Sequence, residues 1–121
     1  MNRKHLIISA IMGALAVAFG AFGAHGLKNI LSPELLETYK TGITYHLIHT
    51  VVLLSIALNE KYSLTLPFNF ILTGIILFSF SLYIYSVSGI TVFAMITPFG
   101  GVSLIIGWLA IIKQVLISKD K

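Results

Sequence analysis

With 121 residues the chain makes one domain at most. At 57% hydrophobic and 10% charged residues it falls far below the charged share of a soluble globule, about 25%, and so excludes one. The formal charge of +4 would suggest nucleic acid in a soluble domain, but the basic residues sit at the ends of apolar runs, where they set membrane orientation, and no nucleic-acid partner is read from them. The absence of cysteine excludes disulfides, zinc–thiolate sites and thiol catalysis.

Asn2-Arg3-Lys4 and the apolar run after it resemble a secretory signal, but the uncharged stretch from Leu6 to Ala24 is long enough to cross a bilayer, so a first span over about 5–24 is expected. A polar stretch follows from Gly26 to Gly42. Within it, Ser32-Pro33-Glu34 reads as a helix start: Ser32 caps free amides, Pro33 suits the first helical position and Glu34 favours the positive helix end. Leu35, Leu36 and Tyr39 then give a short amphipathic helix at the interface between spans one and two.

A second span is expected over about 41–58, ended by Asn59-Glu60-Lys61. No charged residue or histidine occurs from Tyr62 to Ile112. As one helix that stretch would reach roughly 75 Å, against a hydrocarbon core of about 30 Å, so it crosses twice. Span three is placed at about 67–85, the turn at Ser86-Val87-Ser88-Gly89, and span four at about 97–117, opening at Thr97-Pro98. Lys119-Asp120-Lys121 is read as a solvated tail. The fold class is therefore all-α, a polytopic four-transmembrane-helix bundle. Arg3, Lys4, Lys61, Lys113, Lys119 and Lys121 lie on one side and Lys28 and Lys40 on the other, which puts both termini in the cytoplasm of a cell-membrane protein.

Lipid tails are as apolar as leucine, so helices in a bilayer associate through close backbone approach or polar contacts. Ser9, Gly13, Ala16, Gly20 and Gly23 share one face of span one, and Gly100, Ser103, Gly107, Ala110 and Gln114 share one face of span four. Both stripes are expected to be buried, with each other as candidate partners; an oligomer seam or pore lining is the alternative. Trp108 sits mid-span rather than in an interfacial belt.

On this topology His25, Tyr45, His46, His49, Ser79, Ser81, Tyr83 and Thr97 gather on the outer side. Polar groups inside a bilayer need partners, water or a function. Hydrogen bonding between helices is one reading, a proton or small-solute path a second, and a haem or metal ion on the histidines, chiefly His25 and His49, a third. Nothing demands a cofactor, and no catalytic nucleophile–base set is legible.

Gly20-Ala21-Phe22-Gly23-Ala24-His25-Gly26, Tyr45 with His49, Phe78-Ser79 with Ser81-Leu82-Tyr83, and Thr97-Pro98-Phe99-Gly100-Gly101-Val102-Ser103 with Gly107-Trp108 resemble the YgdD/YwdK-like family. These are small bacterial inner-membrane proteins with eukaryotic relatives, grouped as a domain of unknown function. The resemblance implies four spans and places His25, Tyr45 and His49, but not His46, in the motif. It brings no activity, substrate or cofactor. Three functions remain: a structural or accessory bundle in the bilayer, as a homo-oligomer or within a larger membrane assembly; a small transporter, channel-like or ligand-binding protein using the polar cluster; and a haem- or metal-binding protein.

Overall fold

The computed structural model describes residues 2–118. The tail expected at 119–121 lies outside them. Among the described residues four helices are long and apolar enough to cross a membrane: α1 (Arg3–His25), α2 (Pro33–Leu58), a third span over Thr65–Ser88, and α5 (Thr91–Ile117). The third span is α3 (Thr65–Ile75) and α4 (Ser81–Ser88) joined by a π turn at Ile76–Phe80.

The start at Ser32-Pro33 is real, but it opens α2 itself. Ser32 accepts a hydrogen bond from the Leu35 amide at 3.3 Å, and the helix then runs unbroken to Leu58. No separate amphipathic helix precedes it. The polar residues of this stretch do not interrupt the helix because they are satisfied by it: the hydroxyls of Thr38, Thr41 and Thr44 each donate to the carbonyl four residues back.

Span four likewise begins at Thr91, ahead of Thr97-Pro98, and Pro98 lies inside the helix. Backbone groups in hydrocarbon must be paired, which favours restarting the helix directly after the turn. That turn is tight. Gly89 closes α4 at φ 71°, a left-handed conformation that other residues resist, and its amide donates to Tyr85 O at 2.7 Å.

In cross-section α2 and the third span form the middle, with α1 against α2 and α5 against the third span. Of the small-residue stripes, Ser9, Ala16 and Gly23 of α1 and Gly100, Ser103, Gly107 and Ala110 of α5 are buried, while Gly13, Gly20 and Gln114 are partly exposed, and the two stripes do not face each other. Gly13, Gly20 and Gly23 of α1 face Thr50, Ile43 and Tyr39 of α2, whereas Gly100 and Gly107 of α5 face Phe78 and Ile71 of the third span. Each stripe brings its helix close to its own neighbour, the arrangement that packing in lipid rewards. One apolar core joins Met12, Leu53, Ile56, Phe68, Ile71, Ile75 and Leu104; a second, nearer the α1–α2 loop, joins Leu27, Tyr39 and Tyr83. Side chains such as Val17, Phe99 and Leu116 point outward. Both described ends of the chain lie at the same end of the bundle, where the Asn2 amide donates to Ala57 O at 3.2 Å.

Candidate functional site

The early start of α2 changes the depth of the polar cluster. Tyr45, His46 and His49 lie near the middle of α2 rather than in its first turns, and Ser79 lies in the π turn midway along the third span. His25, by contrast, ends α1 and is exposed. The glycine contacts between α1 and α2 put His25 at about the level of Thr38. From there to His49 is roughly 16 Å along the helix at about 1.5 Å per residue. The structure therefore does not bring His25 and His49 together within one chain. Ligand bonds of about 2 Å leave no room for a shared ion at that separation. Among the described residues no three His, Asp or Glu side chains group closely enough to hold one.

What the fold does assemble is a set of hydrogen bonds between helices. His46, fully buried, has Nδ1 at 2.8 Å from Tyr83 Oη on α4 and Nε2 at 2.9 Å from Met12 O on α1. A carbonyl only accepts, so Nε2 carries the hydrogen, and the Tyr83 hydroxyl donates to Nδ1. One imidazole thus ties three helices. His49 is the opposite tautomer: Nδ1 donates to Tyr45 O at 2.8 Å, and Nε2 accepts from the Trp108 indole at 3.0 Å. This bond links α2 to α5. Trp108 reaches it because helical side chains slant toward the N-terminus.

Further bonds add to the set. The Tyr39 hydroxyl donates to Phe19 O at 2.6 Å, and Ser103 Oγ donates to Phe70 O at 2.7 Å. Ser81 Oγ and Thr97 Oγ1 lie 2.6 Å apart, with Phe78 O 2.9 Å beyond Ser81. The shortest route for the hydrogens runs from Thr97 to Ser81 to that carbonyl. Tyr45 is half-exposed; its ring packs parallel to His49 at 5.9 Å and against Phe78 at 4.5 Å.

Ser79 is the exception. It is fully buried, and its hydroxyl has no hydrogen-bond partner among the described residues. Ser9, Thr50 and Ser86 donate to carbonyls four residues back. A π turn pairs residues five apart, which displaces the carbonyl that Ser79 would use. On the two sides of this turn sit glycines. A Cβ on Gly42 would lie 3.2 Å from Ser79 O, and one on Gly100 would collide with the Phe78 amide.

Of the expected cluster, then, His49, Ser79, Ser81, Tyr83 and Thr97 lie in the interior and at its interhelical contacts, Tyr45 lies at its edge, and His25 lies apart. Sequence reasoning missed His46 as the central group. The signal was present: Tyr39, Gly42, His46, His49, Leu53 and Ile56 recur at helical spacing and form the buried face of α2. Nothing in Ile76–Phe80 foretells the π turn.

Comparison with known proteins agrees with the membrane architecture. A family model described as "Protein of unknown function (DUF423)" matches residues 19–101. The UPF0382 membrane protein YwdK of Bacillus subtilis is 43% identical over 112 residues, covering 88% of this chain and 91% of the relative. A UPF0382 membrane protein of Haemophilus influenzae is 39% identical over 115 residues, covering 92% of each. The UPF0382 inner membrane protein YgdD of Escherichia coli is 37% identical over 111 residues, covering 88% and 85%. No solved structure matches the chain.

Proposed function

We propose that this chain, which belongs to the DUF423 family of membrane proteins, serves as a structural or accessory helix bundle in the cell membrane. The observation that carries this reading is where the buried polar groups are spent. Both ring nitrogens of His46 and of His49, the Tyr39 hydroxyl and Ser103 Oγ are committed to hydrogen bonds, most of them to a neighbouring helix. These bonds rigidify the bundle and, among the described residues, leave no assembled nucleophile and base. The orientation that fits the charge is termini inward, with Arg3, Lys4, Lys61 and Lys113 cytoplasmic and Lys28 and Lys40 toward the outside. Its companions would be a second copy or a larger membrane assembly.

The test is recovery of the intact chain from its native membrane in mild detergent, followed by native mass spectrometry. A stoichiometric complex supports the reading; a bare monomer at every mild-detergent condition counts against it. A second reading, binding of a small polar solute at mid-depth, rests on the unpartnered Ser79 hydroxyl alone. It requires Ser79→Ala to alter solute binding without loosening the bundle.

A further inference from the structure

At the end of the bundle that carries both described ends, a cavity of about 530 Å³ opens between the start of α1, the end of α2 and the start of α3. That volume lies in the roughly 300–1,000 Å³ range of small-ligand clefts. Its wall includes Arg3, Lys4 and His5 from the first turn of α1. Among the described residues neither Arg3 nor Lys4 has an ion-pair partner. Against these charges the wall carries Glu60, and Tyr62 and Thr65 add hydroxyl groups.

The walls are held in place by the protein itself. The His5 ring stacks on Phe68 at 3.8 Å and 7°, pinning the first turn of α1 to α3. The Asn59 side chain accepts from the Lys61 and Tyr62 amides at 3.2 and 3.3 Å and donates to Tyr62 O at 2.6 Å, which shapes the loop. The start of α3 has no side-chain cap, so its first amides add positive potential beside Thr65. The level is that of the lipid headgroups, because the uncharged run of α1 begins just inside it, at Leu6.

We propose that this cavity is a phosphate site, with Arg3 and Lys4 supplying the charge. An anionic phospholipid headgroup and free inorganic phosphate share that chemistry, and the depth points to the lipid. Basic pockets between membrane helices bind anionic headgroups in this way. The inference goes beyond the scaffold reading and does not depend on it.

The full chain, stripped of lipid in neutral detergent, is titrated with phosphatidylglycerol or phosphatidylcholine and read by native mass spectrometry. The expected result is one tightly held phosphatidylglycerol, bound at least tenfold better than phosphatidylcholine. Arg3→Gln and Lys4→Gln each weaken it about fivefold, and together about 30-fold. The pair Lys28→Gln with Lys40→Gln removes the same charge from the opposite end and leaves binding unchanged. Displacement of the lipid by millimolar inorganic phosphate would identify the free anion as the source; no displacement assigns the site to the headgroup. Equal binding of both lipids, or equal loss in the two double variants, would overturn the proposal.

Discussion

Replacing His46 by Phe keeps an aromatic ring in a fully buried place and removes both hydrogen bonds that tie α2 to α1 and α4. Interhelical hydrogen bonds in bilayers average about 0.6 kcal/mol and reach about 1.7. The Met12 carbonyl sits within α1 and keeps its helical donor, but the Tyr83 hydroxyl is left unpaired, at a cost of about 1–3 kcal/mol. Together these give a loss of roughly 2–4 kcal/mol. The sharper test is a change of sign. In the native background Tyr83→Phe costs about 1 kcal/mol, because the His46 Nδ1 loses its donor; in the His46→Phe background the same change removes an orphan and restores about 1–2 kcal/mol. Reversible unfolding in mixed anionic and neutral micelles reads both, with Trp108, the chain's one tryptophan, as the probe. If Tyr83→Phe costs the same in both backgrounds, His46 and Tyr83 are not coupled and the reasoning fails.

Gly100→Ala drives a methyl into the Phe78 backbone, which cannot yield as a side chain can, and lowers stability by about 1–3 kcal/mol; Gly101→Ala, whose Cβ would lie 3.7 Å from the Phe78 ring, stays near neutral in the same unfolding assay. Ser79→Ala removes the buried unpaired hydroxyl and raises stability by about 1 kcal/mol, and a clear loss instead would show that the hydroxyl has a partner. His49→Phe breaks the bond to Trp108 and lowers stability by about 0.6–1.7 kcal/mol, with no effect if the α2–α5 link is idle. Gly89→Ala forces a side chain into a left-handed turn and costs about 1 kcal/mol although the space beside it is open, a loss measurable as a lower unfolding midpoint.

Much of the architecture was legible because bilayer physics leaves few choices. Length and apolarity were enough for four spans, and the small-residue stripes were enough to mark the buried faces of α1 and α5. Their partners were not legible, since Gly13 and Gly100 look alike in sequence and which neighbour each meets is decided by the whole bundle. Helix boundaries failed at two places for one reason. Ser32-Pro33 and Thr97-Pro98 carry the same capping chemistry, yet Ser32-Pro33 starts a span and Pro98 lies inside one. Cutting α2 short at Thr41 then placed His46 toward the outer side of the bilayer, when it lies near the middle of α2 and is among the most buried side chains of the protein. The pairing of His25 with His49 failed through the same misplaced depth. The π turn, and with it the isolation of Ser79, lies between the close approaches of Gly42 and Gly100 and leaves no trace in the local residues.

The central claim is that the two interior histidines are fixed structural ties. Nitrogen NMR on histidine-labelled protein in bilayers tests it most directly, with His46→Phe and His49→Phe used for assignment. The account predicts two neutral, non-interconverting rings of opposite tautomer, His46 protonated on Nε2 and His49 on Nδ1. Rapid tautomer exchange at either ring, or the same tautomer at both, would contradict it.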